Sequence, residues 1–528
     1  MFVMVNLLAH VGPTARKVSP RPGGLDAGPL VRTGRIWRRV RRALLVATPL
    51  AALAACTVGP AYRAPATPAP GAYLERTDGI TGAPPDLTAW WARFDDPTLT
   101  SLVRRALAGN LDVAAAVSNI RAARQQEVIA GAQGLPQLDA SANASNTLLS
   151  KNAGFAQLAG AFLGGGTGGL GTQGVGFPGT NFSTYSAGFD ASWELDLFGQ
   201  VRRSVEAARG RAEAQIWSLR DTEVSTAAEV AVDYLTLRSL QRQIAVAEHE
   251  VQRRQQLLDL VQSRRAAGLA TRIDVSQQQV SLSAALSQTP VLEAEARAEI
   301  HALGVLLGEP PEALSAELTP VAAVPPPPPA VPVGLPSELL RRRPDIREAE
   351  RNLAAATADV GVAVADLYPN INLTGSADLI STSLSNIVAV NSLQTAATAA
   401  LVQTLFDGGR RRANVHVYEE HRKQAYYAYE KTVLGALKEV EDGLSRYGGE
   451  RRRNALLRTQ VQAAEAAYQM SGDRYKAGLS DFINVLNAEG AVLDAETQLA
   501  QSDGQLDEDL VSLYKALGGG WSGESGNR

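Results

Sequence analysis

The chain is 528 residues long, with a formal charge of −3 at pH 7, 45% hydrophobic and 20% charged residues, and one cysteine. That balance excludes a basic nucleic-acid binder and a charge-rich disordered chain. A lone cysteine excludes an intramolecular disulfide and a Cys-based metal cluster.

The first element surrounds that cysteine. Arg38, Arg39, Arg41 and Arg42 precede an apolar run from Ala43 to Ala52, followed by Leu53-Ala54-Ala55-Cys56. A basic region, an apolar run too short for a stable span and small residues before a cysteine make a lipoprotein signal. Residues 1–55 therefore read as a signal peptide and Cys56 as the lipidation site, the lipid being the only attached group expected. Residues 1–37 exceed an ordinary basic region, so either translation begins further on or the signal is extended. Thr57, not Asp, follows the cysteine, which favours sorting to the outer membrane. Residues 56–88, Pro- and Ala-rich at Pro60 to Pro70, read as a lipidated tether. Past Cys56 no uninterrupted apolar stretch reaches roughly 18 residues, so a membrane crossing by the mature chain requires β-strands.

An internal repeat organises the rest of the chain. Asp112 and Asp345 are 233 residues apart, as are Pro136 and Pro369, while Phe198 and Phe406 are 208 apart and Gly268 and Gly478 are 210 apart. The first repeat is placed at 89–320, a Pro-rich connector at 321–336, the second repeat at 337–518 and a tail at 519–528. Five consecutive prolines, Pro325 to Pro329, predict an extended connector lying outside any tight bundle. The excess of the first half falls in the Gly-rich stretch around Gly164 to Gly179. There Gly164, Gly166 and Gly169 satisfy a dinucleotide-binding spacing, but more glycine follows where a helix must open, so a surface loop is predicted.

Each half predicts the same elements in order. Helical segments near 111–134 and 344–367 lead through a proline into strands near 137–148 and 182–197, and near 370–380 and 395–406. The clearest strand puts Tyr185, Ala187, Phe189, Ala191, Trp193 and Leu195 on one face; Ile371, Leu373, Leu401 and Leu405 are the weaker candidates in the second half. Proline-free stretches then run from Phe198 to Gly268 and from Phe406 to Gly478, long enough for helices of roughly 100 Å, a coiled-coil length. Shorter helices are expected at 270–308 and 480–517. Four strands cannot close a barrel, and an open edge in lipid leaves backbone groups unpaired. A dimer or trimer is therefore the minimum assembly.

Several segments carry a family resemblance: Gly59-Pro60-Ala61-Tyr62, Trp193-Glu194-Leu195-Asp196-Leu197-Phe198-Gly199, the run from Gly334 to Glu350 with Arg341-Arg342-Arg343-Pro344-Asp345-Ile346 at its centre, Arg474-Tyr475-Lys476-Ala477-Gly478, and Tyr514 to Trp521. Together they resemble the outer membrane factor family, the TolC-like ducts of tripartite pumps, in its NodT-type lipoprotein branch serving resistance-nodulation-division (RND) pumps. The resemblance implies an α+β membrane protein. A homotrimer would form a 12-stranded transmembrane β-barrel, four strands per chain, continued by a long periplasmic α-helical coiled-coil barrel. It would sit in the cell outer membrane, lipid-anchored, as the passive exit for drugs or other small molecules. A periplasmic adaptor (membrane fusion) protein and an inner-membrane RND-type pump would be its partners. The adaptor-contact tips would be Arg264, Gly268 and Leu269 with Arg474, Gly478 and Leu479, and the periplasmic gate would lie at Ile483 and Asn487. Asn487 stands where an Asp is usual and Gly490 where an Arg is common, which puts an ionic lock in doubt. Asp481 and Asp274 offer carboxylates nearby, or serve as helix N-caps.

Enzymatic readings find no footing. His10, His249, His301, His416 and His421 form no H-E-x-x-H, and no nucleophile-elbow or P-loop motif is present. The rivals are the outlet of a type I protein-export machine and a structural periplasmic coiled-coil lipoprotein. The second accounts for the helices and the anchor but not for the paired strands.

Overall fold

The computed structural model describes residues 57–66, 70–75, 80–81, 87–148, 181–325, 328 and 331–521. Cys56, the signal segment, the Gly-rich stretch and the tail beyond Trp521 lie outside the described residues.

Helix α1 (Pro97–Gly109) begins where the Asp96 carboxylate accepts from the Thr98 and Leu99 N–H groups, a side-chain cap followed by proline at the first helical position. Asn110 caps α2 (Leu111–Ala132) in the same way. After β1 (Ile80–Thr81) and these helices come β2 (Gln137–Leu148), β3 (Asn181–Leu195), α3 (Gln200–Ala266), α4 (Arg272–Leu306) and the single turn α5 (Ser315–Leu318). The second half adds β4 (Val331–Pro332), α6 (Pro336–Arg342), α7 (Pro344–Ala365), β5 (Asn370–Ser381), β6 (Leu393–Val402), α8 (Arg410–Lys476) and α9 (Phe482–Ala516). The paired helices match residue for residue: 22 in α2 and α7, 67 in α3 and α8, and 35 in α4 and α9.

The four long strands form one antiparallel sheet in the order β2-β3-β5-β6. Residues opposite each other in a ladder share a face. The register therefore puts Leu138, Ala140 and Ala142 with Phe189, Ala191 and Trp193, then with Leu373 and Leu379, then with Ala399 and Leu401. The other face carries Asp139, Ser141 and Asn143, Asp190 and Glu194, Asn372 and Asp378, and Thr398. No helix among the described residues is long and apolar enough to cross a membrane.

Two expectations change. Strand β6 stops at Val402, so Leu405 is not a strand residue; it and Phe406 are exposed in the turn to α8. The turn is the reason. The helices open at Gly199 and Gly409, 210 residues apart, whereas the Leu-Phe pairs are 208 apart. The second turn thus holds two more residues, and Gly408 and Gly409 both take positive φ to accommodate them. The described part of the connector does not lie outside the bundle: β4 pairs in parallel with β1, and Val331 and Val333 are buried. Two apolar side chains following the prolines gain more from the core than from water. That core, midway along the helices, gathers Trp90, Phe94, Leu102, Tyr234, Leu303, Leu318, Leu510 and Tyr514, with Trp90 stacked on Tyr514 at 5.2 Å.

Candidate functional site

Both long helices stop for a local reason. At the end of α3 the Leu269 N–H donates to the Arg264 carbonyl at 2.8 Å and the Gly268 N–H to that of Arg265 at 2.9 Å. At the end of α8, Leu479 and Gly478 donate likewise to Arg474 and Tyr475 at 2.8 and 3.0 Å. This wrap satisfies terminal carbonyls and needs a left-handed residue, supplied by Gly268 and Gly478 with φ of 77° and 74°. A Cβ on either glycine would meet nothing within 4 Å, so glycine is demanded by backbone angle and not by crowding. Leu269 and Leu479 are left exposed at the turns.

The two tips touch. Arg264 Nη1 donates to the Lys476 carbonyl at 3.2 Å, and its guanidinium lies 4.5 Å from the centre of the Tyr475 ring. A cation at a helix C-terminus and over an aromatic face is favourable on both counts. Tyr475 packs on Phe482, backed by Leu257, Val261, Val275 and Val485. Arg474, the matching residue of the second hairpin, is exposed. Replacing Arg264 with alanine is expected to loosen the second tip, speeding amide exchange around Phe482 by about tenfold, the combined worth of one cation–π contact and one hydrogen bond. Unchanged exchange would mean that the tips hold each other by other means.

Just past the second tip, Ile483 and Asn487 stand one turn apart on an exposed face of α9. Ile483 lines an open hollow with Ile273, Val280 and Leu486. Asp274 is committed to the start of α4: it accepts from the Thr271 N–H at 2.8 Å and its own N–H donates to Thr271 Oγ at 3.2 Å, a reciprocal cap. Asp481 holds the N-cap position of α9, exposed, and its side chain makes no capping bond.

Behind that face lies an acid that the motifs did not flag. Glu489 is 1% exposed and neither carboxylate oxygen has a hydrogen-bond partner. Burial, then the charge of Glu250, pushes its pKa up to about 7, against the opposing pull of Arg254 and Arg253. Glu250 is itself buried between Arg254 at 2.5 Å and Arg253 at 2.8 Å, and Arg253 also binds Glu496 at 2.6 Å. The available signal was positional: Phe482, Val485, Glu489 and Val492 are the buried stripe of α9, a helical spacing that marks a core site.

The Arg-Arg-Arg-Pro-Asp-Ile segment also gains a physical meaning. Buried Arg343 donates to both oxygens of Asp345 at 3.0 and 2.6 Å, to Glu439 at 2.7 Å and to the Ala516 carbonyl at 2.9 Å. It joins the start of α7, the middle of α8 and the end of α9. At the opposite end of the bundle, Val58 N–H donates to the Phe198 carbonyl, while Arg203 donates to the Val58 and Gly59 carbonyls. Tyr62 donates to Glu350 at 3.1 Å. The first residues after Cys56 are thus strapped beside the junction of sheet and helices.

A sheet with one apolar and one polar face, set on helices of about 100 Å, defines a duct-forming membrane protein. The outer membrane efflux protein family model matches residues 102–309 and 335–519. Over 480 residues the chain is 32% identical to the pyoverdine export outer membrane protein OpmQ of Pseudomonas aeruginosa, covering 89% of this chain and 95% of that protein. Nodulation protein T of Rhizobium leguminosarum bv. viciae is 32% identical, with 89% and 92% covered. The solved outer-membrane channel OprN superposes with a TM-score of 0.78 at 35% identity, covering 88% of this chain and all of that one. The chain belongs to the outer membrane efflux protein family. It is an outer-membrane efflux channel, a transport protein and not an enzyme.

Proposed function

We propose that three copies close a 12-stranded barrel in the outer membrane, each supplying its four-stranded sheet, and that the helices continue it as a periplasmic tunnel. A periplasmic adaptor engages the tips at Arg264, Gly268, Leu269, Arg474, Gly478 and Leu479. An inner-membrane RND-type pump supplies the energy, and small molecules leave passively through the duct. Ile483 and Asn487 narrow its periplasmic end, with Asp481 as the nearby carboxylate and Asp274 serving the helix start. Cys56 carries the lipid, which the strapped residues from Thr57 onward hold at the membrane surface.

The observation that carries this reading is the two-faced sheet whose edge strands, β2 and β6, have no outer partner among the described residues. Each open backbone group in lipid costs several kcal/mol, and closure by further copies removes the cost. The polar strand face, with Asp139, Asp190, Glu194 and Asp378, then lines water.

The test is accumulation of dyes, antibiotics and metal ions in a deletion strain and in that strain carrying the gene. Raised accumulation, restored by the gene, is the expected result and names the substrate class. Unchanged accumulation across the panel, with the protein present in the outer membrane, would overturn small-molecule efflux in favour of protein export.

A further inference from the structure

Near the tips the packing between the two helical hairpins is apolar, with Leu257, Val261, Val275, Tyr475, Phe482 and Val485 gathered in one cluster. One turn further along the same helices the character changes. The buried side chains there are Glu250 and Arg254 of α3, Gln278 of α4 and Glu489 of α9. Arg253 joins Glu250 of its own helix to Glu496 of α9 at 2.8 and 2.6 Å, and Arg254 holds Glu250 at 2.5 Å. Gln278 donates to the Arg254 carbonyl at 2.9 Å. Glu489 is left over, with both carboxylate oxygens buried and unpartnered. The two arginines are already committed to Glu250 and Glu496, so neither can turn to it without breaking an ion pair.

The internal repeat does not copy this layer. A shift of 210 relates the starts of the long helices, Gln200 and Arg410, and of the short ones, Arg272 and Phe482. It carries Glu250, Arg253 and Arg254 to Gln460, Ala463 and Ala464, and Glu489 and Glu496 back to Gln279 and Leu286. The charges therefore belong to one seam, α3 against α9, and their counterparts are uncharged. That seam supports the helix that carries Ile483 and Asn487, which are themselves uncharged. A carboxyl without partners in a closed site is tolerated when neutral and strongly disfavoured when ionised. Once ionised, it favours any arrangement that lets water reach it. Resting on the gated-duct reading, we propose that the seam is a proton-operated latch. With Glu489 neutral, α9 stays against α3 and holds Ile483 and Asn487 in the duct; with Glu489 ionised, the seam parts and the periplasmic end opens.

The groups that face Glu489 set the direction. From α3 these are Glu250, which raises its pKa, and Arg254 and Arg253, which lower it; burial is the largest influence and raises it. From α8 Tyr468 faces it, and from α4 the uncharged Gln278 closes the layer. His249 and Glu465 stand apart, lining an adjacent open hollow with Arg253 and Glu496. In the packed seam the pKa is about 7 against an ordinary 4.5. Between those values each pH unit moves the balance toward the parted seam by up to about tenfold, and above about 7 it moves no further. The idle duct is thus shut in acid and released near neutrality.

The purified mature protein, placed in planar lipid bilayers, tests the latch through its open fraction at about pH 5 and about pH 7.5. The parent's open fraction is expected to rise about tenfold or more between the two, while Glu489→Gln stays low at both. Glu250→Gln, which frees Arg253 and Arg254 to pair with Glu489, is expected to shrink the response. At about pH 7.5 amide exchange between Val485 and Val492 is expected to be about tenfold slower in Glu489→Gln than in the parent, because the seam stays packed. A Glu489→Gln protein that opens with pH as the parent does overturns the latch, as does a conducting parent with no pH response. Exchange in Glu489→Gln that equals or exceeds the parent's also overturns it. Absence of any conducting unit from parent and variants alike, at either pH, overturns the duct reading itself.

Discussion

Replacing Arg343 with alanine is expected to destabilise the helical bundle by about 1–3 kcal/mol, the worth of a buried charged donor whose carboxylate partners, Asp345 and Glu439, keep 27% and 57% of their side-chain surface in water. The guanidinium is buried and makes four hydrogen bonds, two to Asp345, one to Glu439 and one to the Ala516 carbonyl. Burial alone lowers its pKa, but Asp345 and then Glu439 outweigh that and hold it above the ordinary guanidinium value, so the charge is stabilised where it sits. Without it, Asp345 and the Ala516 carbonyl at the end of α9 lose their shared donor. Gly518, at φ 70°, packs on the Arg343 stem, so the chain beyond α9 loosens with it. Arg343→Lys keeps the charge but not the planar fork that binds both Asp345 oxygens, and should recover part of the loss. Thermal unfolding in detergent measures both. An alanine variant melting with the parent would show that the clasp contributes nothing to stability.

The second large effect is a pH dependence at Glu489. Its carboxyl has a pKa raised from 4.5 to about 7 in the folded chain, so folding favours the protonated form. The stability it allows is complete below about 4.5, declines as pH rises, and is lost once pH passes about 7. The groups acting on it are Glu250, Arg253 and Arg254 of α3 and Tyr468 of α8, whose own pKa is raised by burial and then by Glu489. Gln278 of α4 closes the same region, donating to the Arg254 carbonyl with its own oxygen unpartnered. Glu489→Gln removes the ionisation and keeps the shape. At pH 8 it should be more stable than the parent by on the order of 1–3 kcal/mol, with the difference vanishing near pH 4.5. Parallel melting profiles for the two proteins from pH 4.5 to 8 would refute a buried, titrating acid. Asn487 lies two residues away on the exposed face of the same helix, so the acid sits directly behind the proposed gate.

Much of the architecture was legible because its signals are local. Gly268 and Gly478 end the long helices through a backbone angle that glycine tolerates, and Pro136 and Pro369 separate helix from strand. Alternation along Tyr185 to Leu195 marks a two-faced strand. The matching positions of these signals were enough to anticipate paired helices and four strands. Where a signal was shared between two structures, sequence could not choose. Asp274 and Asp481 both stand at helix starts, yet only Asp274 has a threonine hydroxyl placed to complete a reciprocal cap. The Leu-Phe landmarks suggested a shift of 208 where the ladders use 210, because a two-residue lengthening of a turn is invisible until strands are seen in register.

The paired long and short helices and the four long strands could be read from the residues in order, since helix stops and strand alternation depend on neighbours in the chain. Four features emerge only on folding: the strand order β2-β3-β5-β6, the clasp of Arg343 on three helices, the meeting of Arg264 with Tyr475 and the burial of Glu489 beside Glu250. Those are set by desolvation and pairing between residues tens to hundreds of positions apart, which no local pattern of side chains encodes.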